Sequence, residues 1–314
     1  MAGLRFAIIG AGRLGSSLAL AMVSKGADLS GYVCLTPAGR SRAQEWLGSP
    51  AASELADLAA ARPDLYVISV PDSALPGVAA DLGRLMSARR ANGSLGADNL
   101  ASPLVLHTSG ASSVEVLGLC ADAGATTLAF HPLQTFSEPL SGSAHFAGAA
   151  VAVTPAAGAL SSVGLDAGFS LARSLGAQPF LLADDKRVLY HAAACVASNY
   201  LVTLESCAQR LFVEAGMPED EAVVLFLPLV QAALDNLANQ GPVDALTGPL
   251  SRGDVTTISD HLQALSHSAS DLDAVYRCMG TATLELVRAR GVVDAPTLSR
   301  LAELLCSAES QTHS

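Results

Sequence analysis

The sequence predicts an α/β protein: a doubly wound, mostly parallel sheet followed by an all-helical C-terminal domain. Three observations predict it. Short apolar runs alternate with helix-length segments through about the first 182 residues, the pattern of a parallel sheet covered on both faces. The first run, residues 6–9, opens into Gly10-x-Gly12-x-x-Gly15 and then a helix-prone stretch. After Leu182 no further strand-like run occurs.

Taken in order, strands are expected over 6–9, 29–35, 65–70, 104–108, 126–130, 149–154 and 178–182. Helices are expected between several of them, over 14–25, 40–47, 74–86, 113–123 and 160–175. Residues 184–215 read as one long helix. Residues 218–240 read as another, with Pro218 early and Glu219, Asp220 and Glu221 in its first turn, which suits the helix dipole. Ser268-Ala-Ser-Asp271 resembles a capping box opening a helix to Arg290, and Pro296 opens the last helix. Three segments follow: a doubly wound domain over 1–183, a helical domain over 184–306, and a frayed tail over 307–314. Residues 87–103, polar and rich in Gly, Ala and Asn, are expected to form a mobile loop.

A chain of 314 residues suggests two domains, and with half its residues apolar and 15% charged it builds a large core readily. The net charge of −11 argues against nucleic acid and anionic membrane surfaces as partners. The six cysteines are scattered without a Cys-x-x-Cys, which fits reduced thiols in a cytoplasmic protein. Residues 4–23 look superficially like a secretion signal, but Arg13 and the glycines interrupt them. No membrane span is expected, because the longest apolar stretch, 223–234, is short and contains Pro228 and Gln231. No metal is expected either: the histidines lack ligand spacing. There is also no Gly-x-Ser-x-Gly elbow, no Walker loop and no internal repeat.

The glycine triplet carries the strongest chemistry. Gly10 permits a tight strand-to-helix turn, Gly12 lets backbone approach a pyrophosphate, and Gly15 lets the helix pack close to the strand. The helix N-terminus, with Arg13 and Leu14 inside the motif, offers free N–H groups to phosphates. In this fold an acidic residue about 20 residues on selects NAD. Here that segment holds Thr36, Arg40 and Arg42 and no Asp or Glu. Arginine pairs with a 2′-phosphate, so NADP(H) is favoured over NAD(H); the other reading makes the arginines solvated residues of a helix start. Two further strand ends, Val70-Pro71-Asp72-Ser73 and His107-Thr108-Ser109-Gly110, face the same crevice. Val70, Pro71 and Thr108 are assigned to the cofactor, and Ser109 to substrate.

With Phe130-His131-Pro132, Tyr190-His191, Ser198-Asn199 and Leu246-Thr247-Gly248-Pro249-Leu250-Ser251-Arg252-Gly253-Asp254, the chain resembles Rossmann-like oxidoreductases that carry a C-terminal helical domain of unknown function. These belong with ketopantoate reductase, pyrroline-5-carboxylate reductase and 6-phosphogluconate dehydrogenase. The resemblance covers nearly the whole chain. It implies an NAD(P)-dependent reductase, a homodimer through its helical domain, and a link to pantothenate biosynthesis.

Reduction of a ketone leaves an oxyanion that needs a proton donor. Ketopantoate reductases carry a lysine, then asparagines four and eight residues later, on one helix. Ending that pattern on Asn199 places Cys195 and His191 at the earlier positions, with His191 replacing the lysine. Alternatively Lys186 is the lysine and Tyr190 follows it. On a single helix Lys186 and Asn199 stand about 20 Å apart and cannot both touch one small substrate. His191 is favoured, since histidine is the residue type that changes charge near neutral pH. His131, extended before Pro132, either lines the cleft or braces a loop. Arg252 either binds a substrate carboxylate or pairs with Asp254 to hold its loop. The expected function is NADPH-dependent reduction of a small 2-oxo acid, ketopantoate first. The alternatives are reduction of a cyclic imine and a module that binds NADP without turnover.

Overall fold

In the computed structural model, residues 1–48, 51–52, 54–91 and 102–306 are described. The first half alternates as its apolar runs dictate: β1 Arg5–Ile9, α1 Arg13–Ser24, β2 Asp28–Val33, α2 Pro37–Leu47, α3 Leu55–Ala61, β3 Leu65–Ile68, α4 Leu75–Ala91 and β4 Leu104–His107. Next come α5 Gly118–Asp122, β5 Thr126–Pro132, α6 Pro139–Gly142, β6 Ala150–Pro155, α7 Ser161–Ser174 and β7 Gln178–Leu181. The seven strands form one sheet in the order β2-β1-β3-β4-β5-β6-β7. Among the described residues only β5 and β6 pair antiparallel; α7 then crosses over and returns β7 parallel to β6.

Side chains alternate between the two faces of the sheet. Phe6, Ile8, Leu65 and Val67 join one core cluster with Leu18 and Met22 of α1 and Leu171 of α7. Ala7, Ile9, Tyr66 and Ile68 join the other with Leu75 and Leu82 of α4 and Leu117. That period of two is the reason near-continuous apolar runs fill strands buried on both sides.

The remaining helices are α8 Arg187–Ala197, α9 Asn199–Glu214, α10 Ala222–Ala245, α11 Pro249–Arg252, α12 Val255–Ser268, α13 Asp273–Arg290 and α14 Ala295–Cys306. The chain divides into two compact units, Met1–Asn199 and Tyr200–Ser314. Within the second, Ile258, Leu262, Leu284, Leu301 and Leu305 form the main core.

Several expectations are corrected. α3 was not anticipated; it is short, but Glu54 and Asp57 cap it reciprocally. The single helix over 184–215 is a 3-10 turn at Asp184–Lys186, then α8 and α9, broken at Ser198 (φ −122°, ψ −64°). Ser and Asn side chains compete for backbone groups, which favours a break at Ser198-Asn199. The box at Ser268 does not form: Ser268 ends α12, and Asp271 pairs with Arg210. Of the loop expected over 87–103, residues 87–91 are helical in α4, and residues 92–101 lie outside the described residues. The tail over 307–314 also lies outside them. The stretch Ala222–Arg252 is, by length and composition, long and apolar enough to cross a membrane, against expectation. It is interrupted at Gly241 (φ 75°, ψ 171°), where Pro242 disfavours helical backbone in the residue before it.

Candidate functional site

At the carboxyl end of β1 the three glycines do three different things. Gly10 sits at φ 93°, and a Cβ there would lie 2.4 Å from the Ser69 carbonyl oxygen. Its N–H donates to the Val33 carbonyl (2.8 Å), closing the turn against β2. A Cβ on Gly15 would lie 2.4 Å from the Gly10 carbonyl oxygen and 3.3 Å from Ile8 Cγ2, so α1 rests directly on the strand end. Gly12 has nothing within 4 Å of a Cβ position. It is the N-cap of α1 and supplies no side-chain cap, so the first-turn N–H groups of that helix stay available to an anion. Arg13 is exposed at the first position of α1, and Leu14 packs against the core.

The neighbouring strand ends complete this edge. Val70 flanks Gly10, and the Pro71 carbonyl accepts the first N–H bonds of α4. The Thr108 hydroxyl donates to Ser69 Oγ (3.0 Å), joining the ends of β3 and β4. Thr36 caps α2, accepting from Gly39 N–H (3.1 Å), with Arg40 and Arg42 exposed on that helix. Sequence-expected cofactor residues therefore gather along one sheet edge.

The second locus lies on the same edge, at the ends of β4 and β5. His131 is in β5, and its Nδ1 lies 2.9 Å from the Tyr190 hydroxyl. The His131 and His191 rings stand edge to face, 5.9 Å apart. Gly110 lies beneath both: a Cβ there would be 2.3 Å from His191 Cδ2 and 2.9 Å from His131 Nε2. His191 Nδ1 lies 3.9 Å from Cys195 Sγ one turn along α8. The first two-thirds of the proposed His191–Cys195–Asn199 stripe thus exists. The break at Ser198 leaves Asn199 as the exposed first residue of α9.

Behind the loop that follows β4 lies Arg187, which is fully buried. Its Nε donates to the Ser112 carbonyl (2.6 Å), one terminal nitrogen to Thr154 Oγ1 (2.9 Å), and the other to the Ser109 carbonyl. Asp184 accepts from the Ser113 hydroxyl (2.6 Å) and Val114 N–H (2.9 Å). Ser109 Oγ bonds both the hydroxyl and N–H of Ser112. The 3-10 turn and start of α8 thereby strap the loop from below. Sequence reasoning missed Arg187 and Asp184, because nothing in the pattern separates them from the exposed Asp185–Lys186 ion pair (2.8 Å) between them. Lys186, the alternative proton donor, is engaged in that pair and points to no partner in the imidazole cluster. Arg252 ends α11 in the second unit and is exposed, while Asp254 caps α12 through Thr257.

Burial sets the protonation of this cluster. It pulls His131 down to about 4, with His191 and Arg187 adding to the effect. It pulls His107, wholly buried at the end of β4, down to about 3, again helped by Arg187. It pushes Tyr190 up to about 12. At neutral pH His131 is a neutral imidazole bonded to a neutral phenol.

A folded-state value below that of the unfolded chain means the unfolded state binds more protons in acid. The stability from His107 and His131 is therefore complete above about pH 6.5 and lost as pH falls toward 4 and 3. The melting temperature should drop steeply over that window, by on the order of a few kcal/mol in stability. His107→Leu should flatten the drop, and an equally steep profile in that variant would rule out the buried imidazole as its source.

No group of three or more His, Cys, Asp or Glu able to hold a metal lies among the described residues. Residues 1–132 match the family described as Rossmann-like domain, and residues 156–283 match the domain of unknown function DUF2520. No curated protein matches the chain. A candidate NADP oxidoreductase of Bacteroides fragilis is similar in structure, with a TM-score of 0.65 and 21% identity over 91% of this chain and 97% of that one. A 1-pyrroline-5-carboxylate reductase of Streptococcus pyogenes gives 0.59 at 16% identity, over 96% and 98%. The pyrroline carboxylate reductase of Plasmodium falciparum, with NADP bound, gives 0.59 at 12%, over 97% and 99%. At these identities the likeness is one of fold.

Proposed function

We propose that this chain, a Rossmann-like domain joined to a DUF2520 domain, is an NAD(P)-dependent oxidoreductase that reduces the C=O or C=N group of a small substrate. One observation carries the reading: the uncapped α1 turn over an open Gly12 and the His131–Tyr190–His191 cluster occupy the same edge of one sheet. A dinucleotide anchored by its diphosphate at the first would extend its reactive ring toward the second.

The dinucleotide supplies a hydride when bound. The chain's own residues bind it, orient the substrate and hold the proton. His191 is the proton donor in this reading, and Nε2 of its ring makes no hydrogen bond among the described residues. His131, kept neutral and braced by Tyr190, orients the substrate oxygen or nitrogen. Arg40 and Arg42 favour NADP(H) over NAD(H) through the 2′-phosphate, since β2 ends without a carboxylate.

A 2-oxo acid is the substrate class, with ketopantoate the first compound to test on the strength of the motif resemblance. A cyclic imine of the pyrroline-5-carboxylate type is the second reading, favoured by the fold likeness to pyrroline carboxylate reductases. Purified protein with NADPH or NADH, followed at 340 nm against a panel of 2-oxo acids and cyclic imines, tests all of this. Turnover of ketopantoate with NADPH is the expected result. Turnover of imines alone would transfer the assignment to the second reading. Tight binding without turnover of any substrate would leave only a nucleotide-sensing module.

A homodimer in the cytoplasm belongs to the same proposal. Val224, Leu225, Leu227, Leu229, Leu234 and Leu237 of α10 are exposed in the single chain, a surface that a second copy would cover. The six free cysteines suit a reducing compartment. Light scattering should give twice the chain mass.

A further inference from the structure

We infer that the loop after β4, residues 109–113, seats the substrate's carboxylate, gripped by backbone N–H groups with the charge of Arg187 behind them. This rests on the reductase reading and adds to it the part of the molecule that recognises the acid group.

Peptide geometry carries the first half of the argument. In a trans peptide the C=O of one residue and the N–H of the next point in opposite directions. The carbonyls of Ser109 and Ser112 both face Arg187 and accept from it. The N–H groups of Gly110 and Ser113 therefore point away from the guanidinium. Of the neighbouring N–H groups, Ser112 donates to Ser109 Oγ and Val114, just past the loop, to Asp184 Oδ1, while those of Ser109 and Ala111 do not follow a carbonyl held by Arg187. Those of Gly110 and Ser113 have no acceptor among the described residues. Gly110 is buried, and a buried N–H without an acceptor is rare in native proteins.

Charge carries the second half. Arg187 is wholly buried, yet each of its hydrogen bonds goes to a neutral oxygen. The nearby Asp184 is turned to Ser113 and Val114 instead. Asp184 and Asp72 act on Arg187 only through space, and a buried cation hydrogen-bonded to neutral oxygens alone keeps a positive potential that a directly seated anion would complete. An oxygen on the Gly110 N–H would lie roughly 8 Å from the guanidinium, across one peptide and one hydrogen bond. At an effective dielectric near 20, a unit charge at that range changes affinity by about thirtyfold.

The position also suits the reaction. Gly110 is the residue on which His131 and His191 converge. In a 2-oxo acid the reacting carbon is bonded directly to the carboxylate, so an acid seated on this loop presents its oxo group beside the two imidazoles. A side chain at position 110 would fill that space.

The test uses the unmodified 314-residue chain. Only three Ser–Gly pairs occur in the chain, ending at Gly31, Gly110 and Gly142. Labelling serine with 13C at the carbonyl and glycine with 15N therefore reduces the amide spectrum to those three peaks, and Ser109→Ala assigns the Gly110 peak by erasing it. Oxamate, a small carboxylate, should move the Gly110 peak saturably, with and without NADP bound, and leave the other two in place. Oxamide, its neutral analogue, should move none. Arg187→Met should weaken oxamate binding by about thirtyfold, and Arg187→Lys by less; if the first variant does not fold, the native spectra still decide. A Gly110 peak that ignores oxamate, or answers oxamide equally, overturns the seat. Failure to bind either dinucleotide with Gly110 still responsive would remove the reductase reading and leave the carboxylate seat standing.

Discussion

Gly12→Ala should fold as well as the native chain and bind NADPH at least tenfold more weakly, whereas Gly15→Ala should lose stability and binding together. The contrast follows from what each missing Cβ would meet. Gly12 has ordinary extended backbone (φ −78°, ψ −164°) and open space around it, so alanine fits without strain. The added methyl would stand where backbone must come within contact of a pyrophosphate. At Gly15 the methyl would be 2.4 Å from a backbone oxygen that cannot swing aside, so α1 must lift from β1. Overpacking of this kind costs about 1–3 kcal/mol, or roughly 3–10 °C in melting temperature for a unit of this size. Thermal melts and NADPH fluorescence titrations on both variants check it. Native affinity in Gly12→Ala would mean that no diphosphate lies over that turn.

The second large effect concerns His191. If it gives up the proton to a developing oxyanion, His191→Ala should cut kcat on a 2-oxo acid by roughly 10²–10⁴ with the NADPH dissociation constant unchanged. With a cyclic imine already protonated in solution the same variant should retain most of its rate, because no donor is needed. His191 lies over Gly110 and only beside Cys195, so its loss removes no strong structural bond. A fall in kcat of less than about threefold on the oxo acid would exclude it as the donor. In that event Tyr190 and His131, joined at 2.9 Å, are the remaining proton carriers at the site, and Tyr190→Phe becomes the informative variant.

How much of this was legible beforehand differs from one element to the next. The glycine turn was readable because its three functions are local: a positive φ at Gly10, an open face at Gly12 and a close contact at Gly15 all fall within one strand-turn-helix unit. The alternating strands were readable because each is buried on both faces and must be apolar along its length. The capping box at Ser268 looked equally local but yielded to a tertiary partner, Arg210, which lies 61 residues from Asp271. The break at Ser198 was obscured by helix-prone sequence on both sides of it.

The sequence by itself determined the doubly wound sheet, the glycine turn at the end of β1 and the absence of a carboxylate at the end of β2. These depend on residue types at fixed short spacing, and backbone sterics read them the same way in any surrounding. Only the tertiary structure decided which of the late residues meet. Arg187 reaches loop carbonyls 75 and 78 residues away, while adjacent Lys186 pairs with Asp185 at the surface. Side chains one position apart on a helical turn point about 100° apart, and which of them is buried depends on where the sheet lies, which no local pattern of charged residues encodes.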